Sequence, residues 1–398
     1  MPFLKLISTF ILFILVLPNC VASDSRTVTL YFAGTGATVD WWNGNKAVFD
    51  FGLHGFWRPE LLATLHHAQL TQTHRQDKKF INGIGTGQNP LIDLLGKTRP
   101  SHSILKIRGW QTCLDEATDF INEVIENHDQ EIILNLVGWS RGAVLAMLVA
   151  KQLSDQTQIR DINIIAIDPV SGDKNINENI FYLSKKVKRF VGLYAEDERS
   201  RYFTPIIPAF NPNNTRAWLV RIPGSHETLV GNIQIDGHAL EPNCLYPDCL
   251  IEKYIPALQN NVGFVKLIIG QLLTSRAWGS VQFNDQQLKI IVTPEMSADN
   301  IKALWQFDYS FMRKISFIPI PLTFLWDLDF YTKKQTCESV NNLRGIKLAD
   351  KNVPRCAKRY FIDKTSRISS LTEYSEIEKL SWKNMQLMTK HLQQQIDF

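Results

Sequence analysis

The chain has 398 residues, enough for one large core or for two or three domains. Apolar residues make up 44% and charged residues 21%, an ordinary globular balance, and a formal charge of +4 at pH 7 is too small and too dispersed for a nucleic-acid partner. The densest basic cluster, Lys185, Lys186, Lys188 and Arg189, reads as a solvated strand entry, with a phospholipid-facing surface as its alternative.

Taken in order, Met1 to Ser23 has the layout of a secretory signal peptide. Lys5 precedes an apolar block from Leu6 to Leu17, and Pro18 and small residues follow, with cleavage expected near Ala22 or Ser23. The block is short for crossing about 30 Å of hydrocarbon, so the expected location is secreted or periplasmic. Loss of Cys20 with this segment leaves five of the six cysteines. Cys244 with Cys249 and Cys337 with Cys356 are disulfide candidates in an oxidising compartment, and Cys113 stays unpaired. His238 beside Cys244 and Cys249 makes a poor zinc set, because no second ligand pair accompanies it.

Thr27 to Ala33 alternates as a strand and ends in Gly34-Thr35-Gly36, where an open α/β sheet presents backbone donors to a ligand. The aromatic, turn-rich stretch from Val39 to Asn89 holds a helix from Pro59 to Leu70, with His66 and His67 in structural roles, and closes in Gly83-Ile84-Gly85-Thr86-Gly87. In the helix from Gln111 to Asn127, Leu114, Ala117, Ile121 and Val124 form the inward stripe, and Asp115, Glu116, Asp119 and Glu123 face away.

Glu131 to Lys151 organises the rest. Ile132 to Val137 has the length and β-character of a strand buried on both faces, and Ala143, Met147 and Ala150 then recur at helical spacing. Between them lies Gly138-Trp139-Ser140-Arg141-Gly142, which reads as a nucleophile elbow with Ser140 at its apex. Gly138 and Gly142 are expected where a Cβ would separate the strand from the helix after the turn. The backbone N–H of Arg141, and one from the Gly34 loop, are the oxyanion-hole candidates.

Three further strands follow, Asp161 to Ile167, Val187 to Tyr194 and Ala217 to Ile222, each delivering polar residues at its carboxyl end. In a parallel sheet those ends lie along one rim. Ser, then acid, then His is the order of a triad built on such a sheet. His226 is the base, with His238 in reserve, and either Asp168 or Asp197 could be the acid that orients it.

Taken together, these segments resemble the catalytic domain of the type VI secretion phospholipase effectors. Ala33-Gly34-Thr35-Gly36 matches that family's loop after the first strand, with alanine in place of the acid. Gly83 to Gly87 matches its glycine-rich element, and Gly138 to Ala143 matches its nucleophile segment except at Trp139. Asp168-Pro169-Val170, Asp197-Glu198-Arg199 and Pro223 to His226 match its later turns, whereas Glu227 to Gly231 departs from the aspartate and glycine run that follows its histidine. The resemblance covers roughly Val28 to Asn232. It implies Ser140, Asp168 and His226 as the triad, favours Asp168 over Asp197, and implies a phospholipase A activity without metal or organic cofactor. The implied partners are a lipid or ester substrate at a membrane surface and, for an effector, a secretion machinery or an immunity protein.

The expected organisation is a signal peptide at 1–23, an α/β-hydrolase-like domain at 24–275 with a mostly parallel sheet flanked by helices, and a carboxyl-terminal α+β extension or cap at 276–398. Val262 to Ser275 reads as a helix, Val281 to Val292 as strands, and Glu373 to Gln395 as a closing amphipathic helix. Ile315 to Tyr331 is apolar but broken by Pro319 and Pro321, so it reads as core rather than a spanning helix, with a lid or acyl-facing wall over the serine as its alternative. A carboxylesterase or thioesterase on the same fold, and a binding scaffold whose triad has lapsed, are the competing functions.

Overall fold

The computed structural model describes residues 25–39, 60–71, 77–86, 109–170, 182–195, 205–211, 213–222, 224, 226–231 and 255–284. The signal-peptide expectation, Asp197, His238, the four disulfide-candidate cysteines and the apolar Ile315 to Tyr331 run lie outside these residues, as does nearly all of the expected extension.

Among the described residues the ten longer elements are β1 (Arg26–Phe32), α1 (Leu61–Ala68), β2 (Lys78–Ile81), α2 (Trp110–Glu126), β3 (Ile132–Trp139), α3 (Arg141–Gln152), β4 (Ile159–Ile167), β5 (Val187–Ala195), β6 (Arg216–Ile222) and α4 (Ile255–Thr274). The strands form one six-stranded sheet in the order β2-β1-β3-β4-β5-β6. Every neighbouring pair is parallel. All eight residues of β3 are buried, as expected for a central strand covered on both faces.

Alternation along the strands separates two apolar layers. Leu30, Phe32, Leu134, Leu136, Ile164 and Ala166 pack with α2 and α3 on one face. Tyr31, Val137, Trp139, Ile165, Ile167 and Leu193 pack with α1 and α4 on the other. The result is the three-layer α/β architecture expected from the sequence, with every strand end that matters here on one rim.

The differences are local. The buried side of α2 is Cys113, Ala117, Phe120, Ile121 and Val124, whereas Leu114 is only partly buried. The stripe is rotated relative to expectation because β2, an edge strand not anticipated from the sequence, packs beside this helix and draws Cys113 inward, with its Sγ 3.6 Å from the Asn82 carbonyl oxygen. The basic cluster lies around the amino end of β5. Lys186 Nζ donates to the Ile159 carbonyl at 2.6 Å, and Arg189 donates to Asn163 Oδ1 at 3.2 Å. These charges serve the amino-terminal half of the sheet, away from the rim that carries Ser140.

Candidate active site

The end of β3 turns directly into α3 through Ser140, whose backbone sits at φ 58° and ψ −127°. An L-residue rarely adopts that conformation, and holding it costs on the order of 1–3 kcal/mol. The surrounding contacts enforce it. Ser140 N–H donates to the Ile167 carbonyl at 3.0 Å, and its own carbonyl accepts from Ala143 N–H at 3.1 Å. A Cβ on Gly138 would come within 2.6 Å of the Ala143 Cα, so the strand and helix meet there as expected. A Cβ on Gly142 would instead come within 2.3 Å of the Phe32 carbonyl oxygen. That glycine therefore admits the end of β1 rather than the chain just before the serine.

His226 lies 86 residues downstream, beyond β6, with its Nε2 2.8 Å from Ser140 Oγ. Its Nδ1 lies 2.6 Å from Asp168 Oδ2. All three residues are buried, Asp168 completely. Asp168 follows β4 with its backbone at φ 43°. Its other carboxylate oxygen accepts from Ala195 N–H, at the end of β5, at 3.1 Å. A carboxylate against Nδ1 fixes the tautomer in which Nδ1–H donates to it and Nε2 accepts from the serine hydroxyl.

The two glycine-bearing loops interlock beside this row. Gly83 N–H donates to the Ala37 carbonyl at 2.8 Å and Gly36 N–H to the Ile84 carbonyl at 2.9 Å. The Arg141 guanidinium donates to Thr35 Oγ1 at 3.1 Å, tying the start of α3 to the Gly34 loop. The geometry thus brings Ser140, His226 and Asp168 into one hydrogen-bonded row, with Gly34 and Arg141 beside it.

The sequence reading missed the contributions of Thr35, Ala195 and the Trp139 side chain. Trp139 stands out in the sequence as the one position of the elbow that departs from the family it resembles, but that departure does not say what its ring touches. His66 packs edge-on to Tyr31 and Phe80, and burial lowers its pKa to about 4, so it is a neutral core histidine. Among the described residues no cluster of His, Cys, Asp or Glu could hold a metal ion, and no helix is long and apolar enough to cross a membrane.

No family model matches the chain, and no curated protein matches it. Several solved structures are similar to it. One is the Tle1 effector bound to the VgrG spike from the type 6 secretion system, at 16% identity over 54% of this chain and 52% of that chain, with a TM-score of 0.33. Another is an uncharacterized protein from Pseudomonas aeruginosa, at 14% identity over 74% of this chain and 52% of that one, with a TM-score of 0.43. A third is Est1E from Butyrivibrio proteoclasticus, at 11% identity over 51% and 81% of the two chains, with a TM-score of 0.28. The chain spans about half the length of the first two. At such identities and TM-scores no residue role carries across; the α/β-hydrolase-type fold is read from the sheet's own order and register.

Proposed function

We propose that this protein is a secreted serine hydrolase of lipid esters, phospholipase A-like in its chemistry. The observation that carries the reading is the buried row from Ser140 Oγ through His226 to Asp168, at 2.8 and 2.6 Å, at the carboxyl ends of parallel strands. Ser140 Oγ attacks the ester carbonyl carbon while its proton passes to His226 Nε2. Asp168 accepts from Nδ1–H and stabilises the imidazolium that forms. The backbone N–H groups of Arg141 and Gly34 hold the oxyanion of the tetrahedral intermediate. As the C–O bond to the leaving alkoxide breaks, the alkoxide takes the proton from Nε2. Water then adds to the acyl-enzyme, giving its proton to His226, and collapse releases the fatty acid and restores the Ser140 hydroxyl.

The lipid class follows from the sequence resemblance, and the location from the layout of Met1 to Ser23. The test is to incubate phospholipid vesicles with the wild-type and Ser140→Ala proteins and to analyse the lipids by mass spectrometry. Release of fatty acid and lysolipid by the wild type alone is expected. A protein that reacts with a fluorophosphonate at Ser140 but cleaves only short-chain esters or thioesters would move the reading to a carboxylesterase or thioesterase. A folded wild type that does not react at Ser140 would overturn the hydrolase reading altogether.

A further inference from the structure

Trp139 occupies the variable position just before the serine of the elbow, and its buried side chain touches two parts of the site at once. Its indole N–H donates to the main-chain carbonyl of His226 at 3.1 Å. Its ring lies against the imidazole, with centroids 5.3 Å apart and planes inclined by 34°. On its other side the six-membered ring presses on Gly34. A Cβ there would come within 2.3 Å of Cε3 and 2.6 Å of Cζ3, so only glycine admits the ring. The loop carrying the candidate oxyanion donor and the loop carrying the base are therefore spaced by one rigid side chain.

The backbone explains why the indole can do this. Trp139 is the last residue of β3, paired with Ile167 of β4, and it points to the face covered by α1 and α4. The Ile167 carbonyl accepts from the Ser140 amide, so the strand pair that fixes the indole also fixes the serine turn. Asp168 and Ser140 bond the imidazole at its two nitrogens, Nδ1 and Nε2. The indole adds a contact on the ring and, through its N–H bond to the His226 carbonyl, ties down the backbone that carries it. A misplacement of even about 1 Å between reacting groups can cost on the order of 100-fold in rate.

We infer that Trp139 is a positioning residue: through its N–H bond to the His226 carbonyl, its indole holds the His226 imidazole in line with Ser140 Oγ and at a set distance from the Gly34 loop. This rests on the hydrolase reading above. The indole N–H bond makes tryptophan different here from the phenylalanine of the family that the elbow resembles, because a phenyl ring could supply the face but not the donor.

The test uses the full-length Trp139→Phe protein and a second protein in which 3-benzothienylalanine, an isostere with sulfur in place of the indole N–H, replaces Trp139. Hydrolysis of a p-nitrophenyl ester and the rate of fluorophosphonate labelling at Ser140 are measured for each. The expected result is kcat about 10-fold lower, with KM within about 2-fold and slower labelling, in both proteins. Thermal unfolding of the isostere should stay close to that of wild type, which separates loss of positioning from loss of packing. If Trp139→Phe does not fold, the isostere alone decides. Wild-type kcat and labelling rate in the isostere would overturn the positioning role while leaving the hydrolase reading intact. A wild type that fails to label would remove both.

Discussion

At Asp168 the side chain that orients His226 is held by a backbone at φ 43°, a left-handed conformation that aspartate and asparagine tolerate better than most residues. Its two carboxylate oxygens are divided between Ala195 N–H and His226 Nδ1. Asparagine could keep the backbone conformation and the Ala195 bond but would bring a neutral amide to the imidazole. Asp168→Asn is therefore expected to fold and to lose on the order of 10³–10⁴ in kcat, because the tautomer is no longer fixed and the imidazolium loses its counter-charge. Asp197→Asn is expected to keep most of the activity. Ester hydrolysis by the two purified variants checks this, and the reverse order of effects would move the acid to Asp197.

At the scale of elements, α1 begins on an ionisable cap in the core. Glu60 is fully buried, and one carboxylate oxygen accepts from Ala63 N–H at 2.7 Å. Its other oxygen, Oε1, has no hydrogen-bond partner among the described residues. Burial raises its pKa from 4.5 to about 7, against the lowering effect of the backbone bonds from Ala63 and Leu62. The unfolded chain ionises this group at a lower pH than the folded one, so between pH 4.5 and about 7 the folded state binds more protons. The stability associated with neutral Glu60 is thus full below pH 4.5 and is lost as pH rises through about 7. The loss amounts to about 3 kcal/mol at most. Glu60→Gln mimics the neutral acid, so its stability relative to wild type should rise across that window and level off above it. Urea denaturation at the acidic and alkaline ends of the window measures this, and an equal difference at both ends would contradict it.

The same scale shows what could be read from sequence. β1, β3, β4, β5 and β6 were legible because each is a run of apolar or β-branched residues long enough to be buried, and their ends fell within a few residues of expectation. β2 was not, since Lys78-Lys79-Phe80-Ile81 is short and half charged, and only its pairing with β1 makes it a strand. That a serine, an acid and a histidine in that chain order would meet was legible, because strands of a parallel sheet end on one rim. Local sequence left Asp168 and Asp197 open, because both follow a strand; the family resemblance alone favoured Asp168, whose Oδ2 lies 2.6 Å from His226 Nδ1. Thr35, Ala195 and the Trp139 indole act through contacts between distant segments, for which a single sequence carries no local pattern.

At the scale of the whole molecule, α4 braces the sheet between the site and the strand interiors. Midway along it, Val262 and Val265 share a core with Leu229 and Val230 of the segment after His226. Just past its end, the turn through Trp278 is pinned to the sheet by buried amides. Asn135 Nδ2 donates to the Trp278 carbonyl at 2.8 Å, Asn163 Nδ2 donates to Asn135 Oδ1 at 3.0 Å, and Arg189 donates to Asn163 Oδ1 at 3.2 Å. This polar row crosses β3, β4 and β5 on the α4 face, about 16 Å along the strand from Ser140 at ordinary strand rise. Asn135→Leu keeps the number of side-chain heavy atoms, though it is bulkier, and leaves the Trp278 carbonyl and one Asn163 donor facing an apolar group. Stranding buried polar atoms in this way costs on the order of 2–4 kcal/mol for the two together. Because the row lies away from the reacting atoms, kcat per folded molecule should match wild type in the cold, while the thermal midpoint falls by several degrees. Active-site titration with a fluorophosphonate counts the folded fraction and separates the two quantities. A fall in kcat per titrated site would instead mean that the brace transmits strain from the strand interiors to the histidine segment.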